Sequence, residues 1–100
     1  MRRGTTPTHT FTIPFSVDNV ADALIVYVQG DKEILRKTVS HCRMDDNTIS
    51  VDLTQEETLR FRCDKKAQIQ VKVLTRDSKS LVSNIITLDV SKCLTDEVLG

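Results

Sequence analysis

Apolar residues in this chain recur every second position, in runs of three to five that are cut by turn residues every 8–12 positions. A period of two places one set of side chains on each face of an extended strand, so each run reads as a half-buried strand rather than a helix. The clearest stretch is Thr48 to Val73. Ile49, Val51 and Leu53 alternate with Ser50 and Asp52. Thr54-Gln55-Glu56-Glu57 then has the spacing of a capping box, in which the Thr54 hydroxyl takes the Glu57 N–H and the Glu57 carboxylate takes the Thr54 N–H. Leu59, Phe61 and Cys63 alternate with Arg60 and Arg62, and Ile69, Val71 and Val73 with Gln68, Gln70 and Lys72. The pattern predicts strand, one short helical turn near residues 54–58, strand, turn and strand.

The same reading extends to both ends. Phe11, Ile13 and Phe15 share a face, and Pro14, which has no N–H for a ladder, predicts an edge strand or a strand end. Ala23 to Gln29 is nearly all apolar, as suits a central strand. Gly30-Asp31 marks a turn. Between Glu33 and Met44 the apolar parity switches, which predicts a bulge or break near Thr38 to His41. Asp45-Asp46-Asn47 and Arg76-Asp77-Ser78-Lys79 are turns, and Leu81 to Ser91 is a last strand with Ile86, Leu88 and Val90 inward. About seven short strands joined by loops too short for βαβ crossovers predict an all-β fold, a small antiparallel immunoglobulin-like β-sandwich. Residues 1–7 read as a mobile arm, 8–93 as one domain and 94–100 as a tail.

Composition narrows the function. Fourteen basic and fourteen acidic residues cancel, and only four aromatics are present, so neither phosphate neutralisation nor base stacking is provided for and no nucleic-acid partner is expected. No run approaches the ~20 apolar residues of a membrane span, and no apolar run follows Arg2 and Arg3 as a secretory signal requires. Cys42, Cys63 and Cys93 are an odd count without a close pair, which points to free thiols in a reducing compartment.

Each residue pattern that could carry chemistry has a structural reading that fits better. His41-Cys42 pairs a base with a nucleophile, but strand neighbours point to opposite faces, and Cys42 reads as a buried apolar residue. His9, His41, Cys42, Cys63 and Cys93 could in principle ligate zinc, yet they lack the two close ligand pairs of such sites. Asp45-Asp46 fits a hairpin turn and Glu56-Glu57 a helix start. Three unclustered glycines give no phosphate-binding loop, and Tyr27 lies in the most apolar strand. The sequence therefore predicts no catalytic, cofactor-binding or metal site, no cofactor and no small-molecule substrate. Gln68, Gln70 and Lys72, with Arg60 and Arg62 if their strands pair, would form a polar outward face suited to a subunit interface.

The segments RGTTPTHTFTIPF (3–15), LTQEETLRF (53–61), IQVKVLT (69–75), SNIITLDV (83–90) and CLTDEVL (93–99) together resemble a group of short, functionally uncharacterised proteins encoded in prophages of Gram-positive bacteria. The resemblance covers nearly the whole chain and transfers no functional residue. It implies a virion location after assembly in the host cytoplasm, and a non-enzymatic structural or adaptor role as a tail, baseplate or capsid-associated subunit. Its partners would be copies of itself and other virion proteins. The alternative is a small intracellular phage protein that binds and inhibits a host or rival factor.

Overall fold

Two antiparallel sheets face each other in the computed structural model, which describes residues 1–100. The strands are β1 (Thr8–Thr12), β2 (Val20–Gln29), β3 (Lys32–Thr38), β4 (Cys42–Asp45), β5 (Thr48–Asp52), β6 (Ala67–Thr75), β7 (Ser80–Val82) and β8 (Ile86–Leu88). One short helix, α1 (Gln55–Leu59), and two 3-10 turns complete the chain. The smaller sheet has the order β1-β5-β4; the larger runs β3-β2-β6, with β7 and β8 both on the far side of β6. This is the expected all-β sandwich.

Burial follows the alternation. Along β6, Ala67, Ile69, Val71, Val73 and Thr75 are buried while the residues between them face out. Opposite them, Phe11, Ile49 and Val51 of the smaller sheet close the core, joined by Leu53 and Phe61. Burying each such side chain stabilises the fold by roughly 1.5–3 kcal/mol. The parity switch between Glu33 and Met44 is the corner where the chain leaves one sheet for the other: β3 ends at Thr38, a 3-10 turn spans Val39–His41, and β4 starts at Cys42.

The capping box forms as predicted. Glu57 N donates to Thr54 Oγ1 at 3.1 Å and Thr54 N to Glu57 Oε1 at 2.9 Å. Beyond it the prediction needs correcting. Leu59, Phe61 and Cys63 form no strand: Leu59 ends α1, and Phe61 turns into the core from irregular chain. Arg60 and Arg62 therefore do not share a sheet face with Gln68, Gln70 and Lys72.

The expected last strand is present but interrupted. β7 pairs with β6 in the register Lys72↔Val82 and Leu74↔Ser80, whereas β8 pairs in the register Ile69↔Ile86 and Ala67↔Leu88. Two residues of β6, Gln70 and Val71, thus face three residues, Ser83 to Ile85. That is a β-bulge, and β7 and β8 are one bulged edge strand. Ser83 anchors it, its N–H donating to Val71 O at 2.8 Å and its hydroxyl accepting from Val71 N at 2.9 Å.

Residues 1–7 do not project as an arm. The Met1 ammonium donates to Asp89 O at 2.6 Å, Ser91 N to Met1 O, and Arg3 N to Ser91 O, giving a parallel bridge between Arg2 and Ser91. Gly4 N donates to the buried Thr58 hydroxyl, which donates to Thr5 O, and the Arg3 guanidinium donates to Leu59 O at the end of α1. The tail is held at two points, Gln55 exchanging hydrogen bonds with the Leu99 backbone and Arg3 meeting Asp96 at 3.2 Å. No helix is long and apolar enough to cross a membrane.

Candidate functional site

A cluster of polar side chains lies between the sheets at the α1 end. His9 on β1 and Cys42 on β4 both stand opposite Val51 of β5. His9 Nδ1 is 2.6 Å from Tyr27 Oη, and the Tyr27 ring packs edge-on against Phe61. Burial, then the positive charge of the N-terminus, lowers the His9 pKa below its usual 6.5. Burial likewise pushes the Tyr27 phenol well above its ordinary 10, helped by Cys42 and Glu57. This is a pair held neutral and joined by one hydrogen bond, whose donor is set by the His9 tautomer.

Beside it, Lys37 and Glu57 form an ion pair at 2.7 Å with side chains only 10% and 16% exposed. Burial works to raise the Glu57 pKa, but the Lys37 ammonium and the Thr54 N–H together hold it below the ordinary 4.5. The Cys42 thiol, raised by burial against the weaker pull of Lys37, donates to Thr38 O at 3.3 Å. Half-buried rather than buried as the alternation predicts, the Cys42 thiol is biased toward its protonated, less nucleophilic form. His41 turns its ring to the Thr38 N–H and hydroxyl, away from Cys42.

The imagined zinc ligands are not brought together. His9 is spent on Tyr27 and His41 on Thr38, Cys63 is exposed in the loop after α1, and Cys93 is half-buried beyond β8. No three His, Cys, Asp or Glu side chains gather at metal-binding distance. Asp45 ends β4 opposite Thr48, and Asp46 and Asn47 form the hairpin turn into β5, Asp46 in the left-handed region at φ 50°. Glu56 and Glu57 open α1. Gln68, Gln70 and Lys72 face outward on β6, and Gln70 donates to Ser83 O at 3.0 Å, so it braces the bulge.

The feature that stands apart is an edge. A sandwich of two open sheets has four edges, each a row of unpaired N–H and C=O groups. Two are blunted. The β3 edge carries Lys32, Glu33, Arg36 and Lys37, and β4 is four residues long with Arg43 and Asp45 on it. The other two are β1 and the bulged β7–β8 strand, and from Ser80 to Leu88 that strand has no charged residue. These two edges flank one cleft of about 530 Å³, floored by Val71 and Val73 and walled by Phe11, Ile13 and Phe15 on one side and Leu81 and Ile86 on the other.

The cleft exists because the smaller sheet stops at β1 and leaves the inward side chains of β7–β8 uncovered. On the cleft side Leu81 and Ile86 are 43% and 39% exposed, and on the other face of the strand Val82 and Ile85 are 53% and 59% exposed. Of the eight large hydrophobics exposed in the chain, these four lie together on one strand, with Leu74 opposite Ser80 beside them; the other three lie in the tail. The sequence reading missed this surface because it placed Ile86 in the core. The charge-free run 80–88 was its visible trace.

Comparison with known proteins adds no family: no protein-family model, no curated protein and no solved structure matches the chain.

Proposed function

We propose that the chain is a non-enzymatic structural or adaptor subunit of a phage particle, a tail, baseplate or capsid-associated part, that works through protein–protein contacts with itself and with other virion proteins. The observation that supports the contact role is the uncharged, apolar β7–β8 edge beside the open cleft. A monomer with such an edge invites strand addition, and a subunit built for assembly has a use for it. The phage setting rests on the resemblance to prophage-encoded proteins.

The polar groups of the interior do not compete with this reading. His9–Tyr27, Lys37–Glu57 and Cys42–Thr38 are each paired within the chain. Residues 1–5 are bonded into the fold, so they are not free to act as a mobile arm. Deleting residues 1–7 therefore destabilises the domain rather than removing a free docking arm.

The test is co-purification. Particles released from an induced host and purified by density gradient should contain the protein in fixed ratio to the other virion proteins. Recovery only in the soluble fraction, bound to a host factor, would instead support the inhibitor alternative.

A further inference from the structure

We propose that the β7–β8 edge pairs with the same edge of a second copy, antiparallel about a twofold axis between Ser83 and Asn84, making one continuous sheet from the two larger sheets. The inference rests on the contact role argued above and names the partner and register.

The direction of the backbone groups fixes the register. Thr75 N donates to Lys79 O and Ser83 N to Val71 O, so Lys79, Leu81 and Ser83 turn their backbone groups toward β6. By the alternation of an antiparallel ladder, Ser80 and Val82 turn theirs outward. β6 is unbroken, so its odd-numbered residues also serve β8, where Ile69 faces Ile86 and Ala67 faces Leu88. Ile85 and Thr87 are then the outward ones. A second copy can exchange N–H···O bonds with this edge only if outward residues meet, and that sets Ser80 opposite Thr87 and Val82 opposite Ile85 of the other copy.

The side chains agree with that register, which is an independent observation. Leu81 falls opposite Ile86 of the second copy, both on the cleft side; Val82 falls opposite Ile85. Every one of the four exposed hydrophobics of the edge thereby gains an apolar neighbour, and Ser80 and Thr87 form a small polar pair of the kind that stabilises strand pairing. The bulge falls at the axis, so the two irregular segments meet each other and leave the flanking pairs regular.

The flanking charges do not oppose this direction. Lys79 and Asp89 bound the neutral run and are each answered within their own copy, Lys79 by Asp77 at 4.0 Å and Asp89 by Lys66 at 3.6 Å. Antiparallel pairing leaves them outside the apolar pairs and sets no like charges directly opposite each other. The pairing is isologous and closed, so it stops at two copies.

The experiment is sedimentation of the full chain from about 1 to about 100 µM, a range that spans micromolar dissociation constants. The wild type should pass from monomer to dimer. Leu81→Glu and Ile86→Lys should each remain monomeric, with circular dichroism unchanged and with the melting temperature of the monomeric wild type at about 1 µM, because both sites are partly exposed. An equimolar mixture of the two variants should restore the dimer, since the register sets position 81 of one copy against position 86 of the other and the two introduced charges are opposite. Should either variant fail to fold, Val82→Glu and Ile85→Lys carry the same test. A wild type that stays monomeric, a single variant that still dimerises, or a mixture that does not associate would each overturn the pairing. A monomer found in purified particles would overturn the edge dimer alone; a dimer absent from particles would overturn the virion assignment alone.

Discussion

Lys37 on β3 and Glu57 on α1 meet at 2.7 Å, and Glu57 spends its other oxygen on the Thr54 N–H, so one carboxylate both caps the helix and neutralises a lysine drawn out of water. The two sheets and the only α-helix are joined at this point.

Removing one partner leaves the other charge buried. Glu57→Gln should keep the cap but unpair Lys37, at about 3 kcal/mol. Lys37→Met should cost less, because the Thr54 N–H and residual water still serve Glu57. The double variant should recover part of the loss. A denaturation double-mutant cycle reads the coupling, and strict additivity would show that the pair contributes nothing.

Stability should fall on acidification in two steps. The His9 pKa is lowered in the folded state, so its neutral form favours folding above 6.5, and stability is lost as pH falls below 6.5 until the depressed folded value is passed. Glu57 is also lowered, so its contribution is present above 4.5 and is lost as pH falls through the folded value. Unfolding free energies of the wild type and His9→Phe should diverge in the first window only. Parallel curves from pH 7 to pH 5 would count against the His9 assignment.

Thr58→Val keeps volume but removes the hydroxyl that accepts from Gly4 N and donates to Thr5 O. Leaving these backbone groups unpaired should cost about 1–3 kcal/mol. Amide exchange should speed up at residues 3–5, which an unlinked terminal segment would not show.

Phe61→Ala should cost about 3–5 kcal/mol, because the ring is buried and packs on Tyr27 at 5.7 Å between centroids. Thermal or urea denaturation checks it. A loss below about 1 kcal/mol would mean the loop after α1 does not close the core.

Local features were legible in the sequence. The Thr54–Glu57 cap, the β5 alternation, the Asp45–Asn47 turn and the break at Thr38–His41 all depend on residues a few positions apart. What failed to show depends on distant partners. Leu59, Phe61 and Cys63 mimic a strand because a period of two over three residues cannot be told from a helix end followed by one inward ring. The bulge at Ser83–Ile85 exists only relative to Gln70 and Val71, and the anchoring of residues 1–5 depends on Thr58 and Ser91, far along the chain. For the surface, the neutral run 80–88 was readable, but its place at an edge was not.

The corner at Thr38–His41 sends the chain from one sheet to the other after β3, so the interior of each sheet is completed by a strand that arrives much later. β2 must wait for β6, pairing Val20 with Thr75, and β1 must wait for β5, pairing Thr8 with Asp52. Closing such long loops costs entropy before any contact rewards it. Refolding should therefore take milliseconds to seconds rather than microseconds. The β2–β3 and β4–β5 hairpins are available early, while the neutral β7–β8 strand, which docks on β6, has no template until β6 is in place. During that delay its apolar run is unprotected, so refolding yield should fall as protein concentration rises.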